Sequence, residues 1–350
     1  MKEGYRLLGD FIRQVDVRNT DGKEENLLGV SVQKMFIPSI ANTVGTDFTK
    51  YKVVKRGQFT YIPDTSRRGD KIGIALLTDY DEGLVSNIYT VFEVKDENEL
   101  LPEYLMLWFS RPEFDRYARF KSHGSVREIM DWDEMCKVEL PVPSIEKQRS
   151  IVKAYNTITD RIELKRKIND NLEAVLAASH SKMFFSMDTS EHSKLGELMT
   201  FGNGKSRPKT DGPIPVYGGN GVLSYTDHHN IENAVLIGRV GAYCGSVYLE
   251  QGICWVSDNA IFAKSKITKD EFFDYFLLKR LNLFNHHVGT GQQLLTQEIL
   301  NNIEVPKPVT EQIELFNRKA ASVFETLFTN SREIIRLQEL SDLLLSRLAG

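Results

Sequence analysis

Glu139-Leu140-Pro141-Val142-Pro143 and Glu304-Val305-Pro306-Lys307-Pro308 are one short stretch written twice, 165 positions apart. Each leads into a helical run, the first from about Glu146 to Met183 and the second from about Glu311 to Leu348. The register holds without a gap. Gly124 falls on Gly289, Pro141 on Pro306, Pro143 on Pro308 and Glu146 on Glu311, and Ser181-Lys182-Met183 falls on Ser346-Arg347-Leu348. The prolines end a strand, because the residue before proline is pushed into extended backbone, and a helix can start only after them.

Working outward, the helical runs carry a seam. Ile151, Ile158, Lys165 and Leu172 recur every seven residues, as do Tyr155, Ile162, Asn169, Leu176 and Met183. Shifted by the repeat they become Phe316, Val323, Asn330 and Leu337, then Ala320, Leu327, Ile334, Ser341 and Leu348. Seven-residue spacing is a coiled-coil pattern, and Lys165 and Asn330 place a polar residue at the same point of each seam. Such a residue costs stability and fixes register and partner. Each helix is roughly 35–38 residues, about 55 Å at ~1.5 Å per residue. That is far longer than an ordinary globular helix, so the pair is expected to pack together and act as a spacer.

At 350 residues the chain has room for two domains, and 41% apolar with 26% charged residues is ordinary for a folded soluble chain. No apolar run reaches transmembrane length, so no membrane partner is expected. Met1-Lys2-Glu3-Gly4-Tyr5 leads into no apolar signal core, and Cys136, Cys244 and Cys254 are an odd, sparse set. Both point to a cytoplasmic location. The net charge of −4 argues against a protein that simply coats nucleic acid. The distribution says more: 146–184 has eight cations and five carboxylates, and 191–305 has ten cations and twelve carboxylates. Contact with nucleic acid must therefore come from local loops or from a partner.

The segment before the first helix reads as α/β. Short strands are predicted at 26–30, 57–62, 72–77 and 88–94, and a helix over 102–120 is expected to break before Pro112. The segment before the second helix repeats that order. Leu195-Gly196-Glu197-Leu198 echoes Leu8-Gly9-Asp10-Phe11, Ala234-Val235-Leu236-Ile237 echoes Phe59-Thr60-Tyr61-Ile62, and Trp255-Val256-Ser257-Asp258-Asn259 echoes Leu84-Val85-Ser86-Asn87. Asp270-Glu271-Phe272-Phe273 echoes Pro102-Glu103-Tyr104-Leu105. The expected fold is α+β: two globular α/β units in a pseudo-two-fold tandem, separated by two long antiparallel coiled-coil helices. The boundaries are 1–145, 146–184, 190–309 and 310–350.

This layout resembles the specificity subunits of type I restriction–modification systems. The resemblance rests on 140–149, on its copy 305–312, and on Ile214-Pro215-Val216-Tyr217-Gly218-Gly219-Asn220-Gly221 with Val235-Leu236-Ile237-Gly238-Arg239-Val240-Gly241 after it. It covers nearly the whole chain, and its specific part is the repeat architecture. It implies two target-recognition domains, no catalytic centre, and recognition of a split sequence in double-stranded DNA. It also implies two methyltransferase subunits and restriction subunits as partners. S-adenosylmethionine, ATP and Mg would then be used by those partners and none bound by this chain.

The residues themselves offer little catalytic chemistry. Gly204-Lys205-Ser206 ends like a phosphate-binding loop, but Met199 stands where its first glycine belongs. No dinucleotide-binding glycine pattern and no methyltransferase Asn/Asp-Pro-Pro-Tyr/Phe motif is present. Asp64, Glu93 and Lys95 are the one nuclease-like set, two acids and a lysine that would hold Mg and activate water. A Mg-dependent nuclease is therefore one alternative, and a coiled-coil scaffold that binds only proteins is another. Cys244 and Cys254 with His228 and His229 fit no zinc spacing and read as buried thiols.

Candidates for DNA contact lie in loops. Arg67, Arg68 and Lys71 sit between two strands, with side chains suited to phosphate and guanine. A solvated hairpin tip would read the same way. Lys205, Arg207 and Lys209 form a basic loop in an otherwise acidic segment. Asn220 lies among glycines that let backbone approach a ligand, and Arg239 lies between Gly238 and Gly241. Arg127 in one unit, and Gln292 and Gln293 in the other, follow the repeated glycine and are types that read base edges, though helix caps also use such positions. Trp108, Phe109, Phe114 and Tyr117, like Phe272, Phe273, Tyr275 and Phe276, fall at helical spacing and are expected in the core.

Overall fold

A computed structural model describes residues 4–40, 43–65, 71–122, 128–185, 190–289 and 291–349. In chain order the first strands are β1 (Tyr5–Leu7), β2 (Ile12–Val15), β3 (Leu28–Val30), β4 (Phe36–Pro38), β5 (Lys52–Lys55), β6 (Phe59–Tyr61), β7 (Ile74–Leu76), β8 (Glu82–Val85) and β9 (Thr90–Val94). Then come α1 (Pro102–Phe109), α2 (Pro112–Lys121), α3 (Trp132–Cys136), β10 (Glu139–Pro141) and the long α4 (Ile145–Phe185). The second half has β11 (His192–Lys194), α5 (Leu195–Leu198), β12 (Met199–Asn203), β13 (Ile214–Gly218), β14 (Gly221–Thr226), β15 (Ile231–Gly238), β16 (Val247–Val256) and β17 (Ala260–Ser265). It closes with α6 (Phe272–Arg280), α7 (Gln297–Asn301), β18 (Glu304–Pro306) and the long α8 (Thr310–Ser346). The expected break in 102–120 falls between α1 and α2, each of which opens on a proline whose missing N–H is no loss in a first turn.

The chain forms two compact units, one of Met1–Leu164 with Ile334–Gly350 and one of Lys165–Glu333. Each unit thus takes a part of each long helix.

In the first unit a four-stranded antiparallel sheet runs β2-β9-β6-β7. Phe59 lies opposite Phe92 in the register, and their rings stack at 4.9 Å, with Phe109 edge-on to both. Tyr61, Leu105 and Leu140 are fully buried with them. Leu345 of α8 and Leu348 just beyond it join this core, and Ile151, Val152 and Tyr155 of α4 pack against it.

In the second unit a six-stranded sheet runs β12-β17-β15-β16-β13-β14. Its first three strands repeat the order β2-β9-β6, and the antiparallel sense is the same. Phe273, Phe316, Ala320 and Phe324 are buried in one core with Leu176, while Val323, Leu327 and Met183 pack against its edge. The aromatics expected in the core are there: Trp108, Phe109, Phe114 and all four of 272–276 are buried, and Tyr117 packs against its core at half exposure.

The quoted proline stretch has the same task in both units. β1 pairs antiparallel with β10, placing Tyr5 opposite Pro141, and β11 pairs with β18, placing His192 opposite Pro306. Each long helix therefore starts from a strand tied to the strand that opens the globular part of its own unit.

The heptad positions face inward. Ile162, Leu176, Phe316, Ala320, Asn330, Ser341 and Leu348 are buried, and Ile151, Ile158, Leu172, Val323, Leu327 and Leu337 are half-buried. Leu164, Ile168, Val175, Leu315 and Ile335 lie off the seam and are exposed. In the second unit the helices run antiparallel. Lys165 Nζ donates to Asn330 Oδ1 at 2.8 Å and pairs with Glu333 at 2.8 Å, and Asn330 Nδ2 donates to Asn169 Oδ1 at 2.8 Å. The two polar seam residues equated by the repeat thus bond to each other.

Candidate nucleic-acid interface

Most candidates in the second unit gather at one junction, the turn 257–259 between β16 and β17. The Lys205 amide donates to Val256 O at 2.9 Å, and Trp255 Nε1 donates to Lys205 O at 3.4 Å. The Ser257 amide donates to Tyr217 O, at the end of β13, just before Asn220 in the β13–β14 turn. Arg239 leaves β15 with its amide on Asn259 O at 3.0 Å and its carbonyl taking Leu295 N–H at 2.9 Å. Gly241 N–H is held by Gln293 O at 3.0 Å. The glycine before Arg239 is required there: a Cβ on Gly238 would lie 2.1 Å from the Tyr243 carbonyl oxygen. Only a residue without a side chain allows that approach.

Exposure separates the roles open to these residues. Lys205, Arg207, Lys209, Asn220 and Gln292 are exposed, and Arg239 and Gln293 half-buried. No ion pair holds Lys205, Arg207 or Lys209 among the described residues. Their full charge faces solvent, as phosphate contacts require. The Arg239 Nε is buried and has no hydrogen-bond partner among the described residues. Tyr243, 49% exposed and against Gly219 and Gly238, joins this junction. The sequence reading missed it, because a lone tyrosine after Gly241 has no pattern of its own.

In the first unit Arg67, Arg68 and Arg127 lie outside the described residues. Lys71 is exposed on a cavity of about 550 Å3 shared with Pro112, Arg116, Arg119 and Phe120. A buried clamp sets this arrangement. Asp115 Oδ1 accepts the Ile72 amide at 3.2 Å and pairs with Lys34 Nζ at 2.8 Å. Lys34 also donates to Phe109 O. Burial lowers the Lys34 pKa, against the raising effect of Asp115. The clamp ties the strand after Lys71 to α2, whose outer face carries Arg116 and Arg119. Arg116 pairs with Glu113 at 3.0 Å and Arg119 with Glu128 at 2.9 Å, both near the surface and easily exchanged for phosphate. Phe120 is 80% exposed beside them.

These α2 residues were legible on a helical wheel. At about 100° per residue, Phe120 lies some 120° from the buried Phe114 face, so it belongs to the cationic side. The sequence reading named Trp108, Phe109, Phe114 and Tyr117 as the core aromatics of this stretch and made no assignment for Phe120.

The nuclease-like set is engaged in structural contacts. Glu93 pairs with Arg13 at 2.6 Å and accepts from Gln58 at 2.8 Å, while Lys95 Nζ donates to the carbonyls of Gly9 and Asp10. Asp64 bridges Ile129. Among the described residues no group of three or more His, Cys, Asp or Glu is placed to hold a metal ion. Cys244 and Cys254 are buried, and burial pushes the Cys254 thiol up to about 12. Among the described residues no helix is long and apolar enough to cross a membrane.

A family model described as the type I restriction modification DNA specificity domain matches residues 11–174 and again 187–343. The type I restriction enzyme HindI specificity subunit of Haemophilus influenzae is 25% identical over 188 residues, 52% of this chain and 40% of that protein. The type I restriction enzyme MjaIX specificity subunit of Methanocaldococcus jannaschii is 20% identical over 299 residues, 71% of this chain and 68% of that protein. The match thus spans less than half the length of the first of these relatives. In fold, the crystal structure of a type I restriction–modification S subunit from M. genitalium superposes with a TM-score of 0.65 at 15% identity, over 99% of this chain and 96% of that one.

Proposed function

The chain belongs to the family of type I restriction modification DNA specificity domains, and on that premise we propose that it is the non-catalytic, sequence-reading subunit of a restriction–modification complex. Residues 1–145 and 190–309 serve as target-recognition domains, each reading one half of a bipartite, asymmetric site in double-stranded DNA. The helices of 146–184 and 310–350 set the spacer of that site. They also offer surface to two methyltransferase subunits, and restriction subunits join the same assembly. Exposed Leu164, Ile168 and Val175 on α4, and Leu340 and Leu343 on α8, suit the docking of apolar helix faces. S-adenosylmethionine, ATP and Mg belong to those partners, and the complex works in the cytoplasm.

The observation that carries this reading is the doubled family match, once over each sheet and into the long helix that follows it. The local chemistry supports it. Lys205, Arg207 and Lys209 suit phosphates, Arg239, Asn220, Gln292 and Gln293 suit base edges, and Lys71 with the α2 cations suits the other half-site. The test is methylation by a purified complex of this chain with a methyltransferase partner. Sequence-specific methylation is expected. DNA cleavage by this chain alone, or a complex that methylates without any preferred sequence, would overturn the proposal.

A further inference from the structure

The first unit holds a second cavity, of about 560 Å3, that the DNA reading does not use. Tyr5, Trp108, Arg111, Phe114, Tyr117 and Lys121 line it. Its size is that of small-molecule sites. Tyr5 meets Trp108 edge-on, with ring centroids 6.1 Å apart. Arg111 is 5% exposed and lies 4.1 Å over the Trp108 ring. A guanidinium has five donors, yet among the described residues this one has a single carboxylate nearby, Glu113 at 3.5 Å from Nη2, and its Nε has no hydrogen-bond partner. Glu113 is itself half exposed and held closer by Arg116, at 3.0 Å. A buried cation so poorly satisfied is costly to keep. Lys121 and Lys137 add positive charge at the rim, where both lean on Glu134 and where Glu139 is the opposing carboxylate.

We infer that this cavity binds a small organic anion with a flat apolar body, its carboxylate or phosphate on Arg111 and its body against Tyr5, Trp108, Phe114 and Tyr117. The planar guanidinium fork matches either oxyanion bidentately, and the aromatic side chains provide the apolar walls. The bound anion supplies the acceptors that Arg111 lacks. Val138 on the cavity wall leads into β10, which starts at Glu139 on the same wall and whose Pro141 carbonyl accepts from Tyr104. Occupancy therefore braces α1 and α2 against the strand from which α4 starts.

The test uses the full chain, with calorimetry and thermal unfolding as readouts. The probes are adenosine monophosphate and indole-3-acetate, with adenosine and indole as uncharged controls. At least one anion is expected to bind saturably in the micromolar to millimolar range and raise Tm, and the neutral analogue to bind much more weakly. Which anion binds separates the phosphate from the carboxylate source. Arg111→Met should weaken binding by roughly tenfold or more while leaving DNA binding unchanged. If that variant fails to fold, Tyr117→Ala, at the half-buried wall, takes its place and should weaken binding too. No saturable binding of either anion, equal binding of the neutral analogues, or binding unchanged in the folded variant would overturn the inference. It stands apart from the DNA reading, since none of these outcomes involves DNA.

Discussion

Burial and hydrogen-bond state divide the cations of the second unit into two kinds. Arg239 is half-buried, its Nε has no partner among the described residues, and its backbone is held at both its amide and its carbonyl. On the proposed reading it contacts a base, and Arg239→Ala is then expected to cost about 1–3 kcal/mol of specific binding and to relax selectivity at one position. Arg207 is exposed on a loop, so Arg207→Ala should weaken all sequences alike and reduce the salt slope by about one. Titrations with target and scrambled duplexes at several salt concentrations separate the two. Identical behaviour of both variants would remove the distinction. His180 is a different kind of residue, 1% exposed and packed against Phe273, Phe276 and Phe316. Burial, helped by the positive charge of Arg280, pushes its pKa down to about 4. The unfolded chain takes up a proton near pH ~6.5 that the folded chain refuses. This residue's contribution is therefore present above that pH and lost as pH falls toward 4. His180→Phe should gain in Tm relative to the natural chain between pH 7 and pH 4.5, as differential scanning calorimetry would show; a constant difference would mean that His180 titrates normally.

Among the elements, each long helix secures its unit with one buried amide. Gln148 of α4 accepts the Leu101 amide at 2.9 Å and donates to the carbonyls of Glu99 and Pro143. Asn317 of α8 accepts the Phe273 amide at 2.8 Å and donates to Asp270 O and Thr268 Oγ1. Both amides are buried, and both hold the backbone at the start of a globular helix, α1 in one unit and α6 in the other. The repeat offset does not align them, because Asn317 stands one turn later than Gln148. An isosteric apolar replacement leaves several backbone groups without partners, at about 1–3 kcal/mol for each. Gln148→Leu and Asn317→Leu are each expected to destabilise their own unit by at least that much. Hydrogen exchange should quicken at Leu101 in the first variant and at Phe273 in the second, and unchanged exchange at both would show that the amides are not structural anchors.

For the whole molecule the prediction concerns modularity. Two units share a frame and differ in what they add to it: β13 and β14 in one, the α2 cation face and the aromatic cavity in the other. Replacing residues 1–137 by the corresponding part of another specificity subunit should change one half of the DNA target and leave the other half unchanged. Methylome sequencing of cells carrying the hybrid reads this directly. A hybrid that altered both halves together would mean that the units do not read DNA independently.

The sequence by itself determined the repeat, the two long helices and their seam. These are one-dimensional signals: a 165-residue offset, a seven-residue period and a pair of prolines, each visible without knowing which residues meet in space. The burial of Phe316 and Leu176 follows from that period, while the bond between Lys165 and Asn330 also needs the register of one helix on the other. Only the tertiary structure decided which polar residues share a surface. Lys205, Arg239 and Gln293 come together because turn 257–259, β15 and the chain beside Leu294 exchange backbone hydrogen bonds across long stretches of sequence. The face of α2 that carries Phe120 and Arg119 could be drawn on a helical wheel, but not what packs against it. Whether an aromatic on a helix is core or surface depends on what packs against each face, and the Asp115–Lys34 clamp that orients α2 joins residues 81 positions apart.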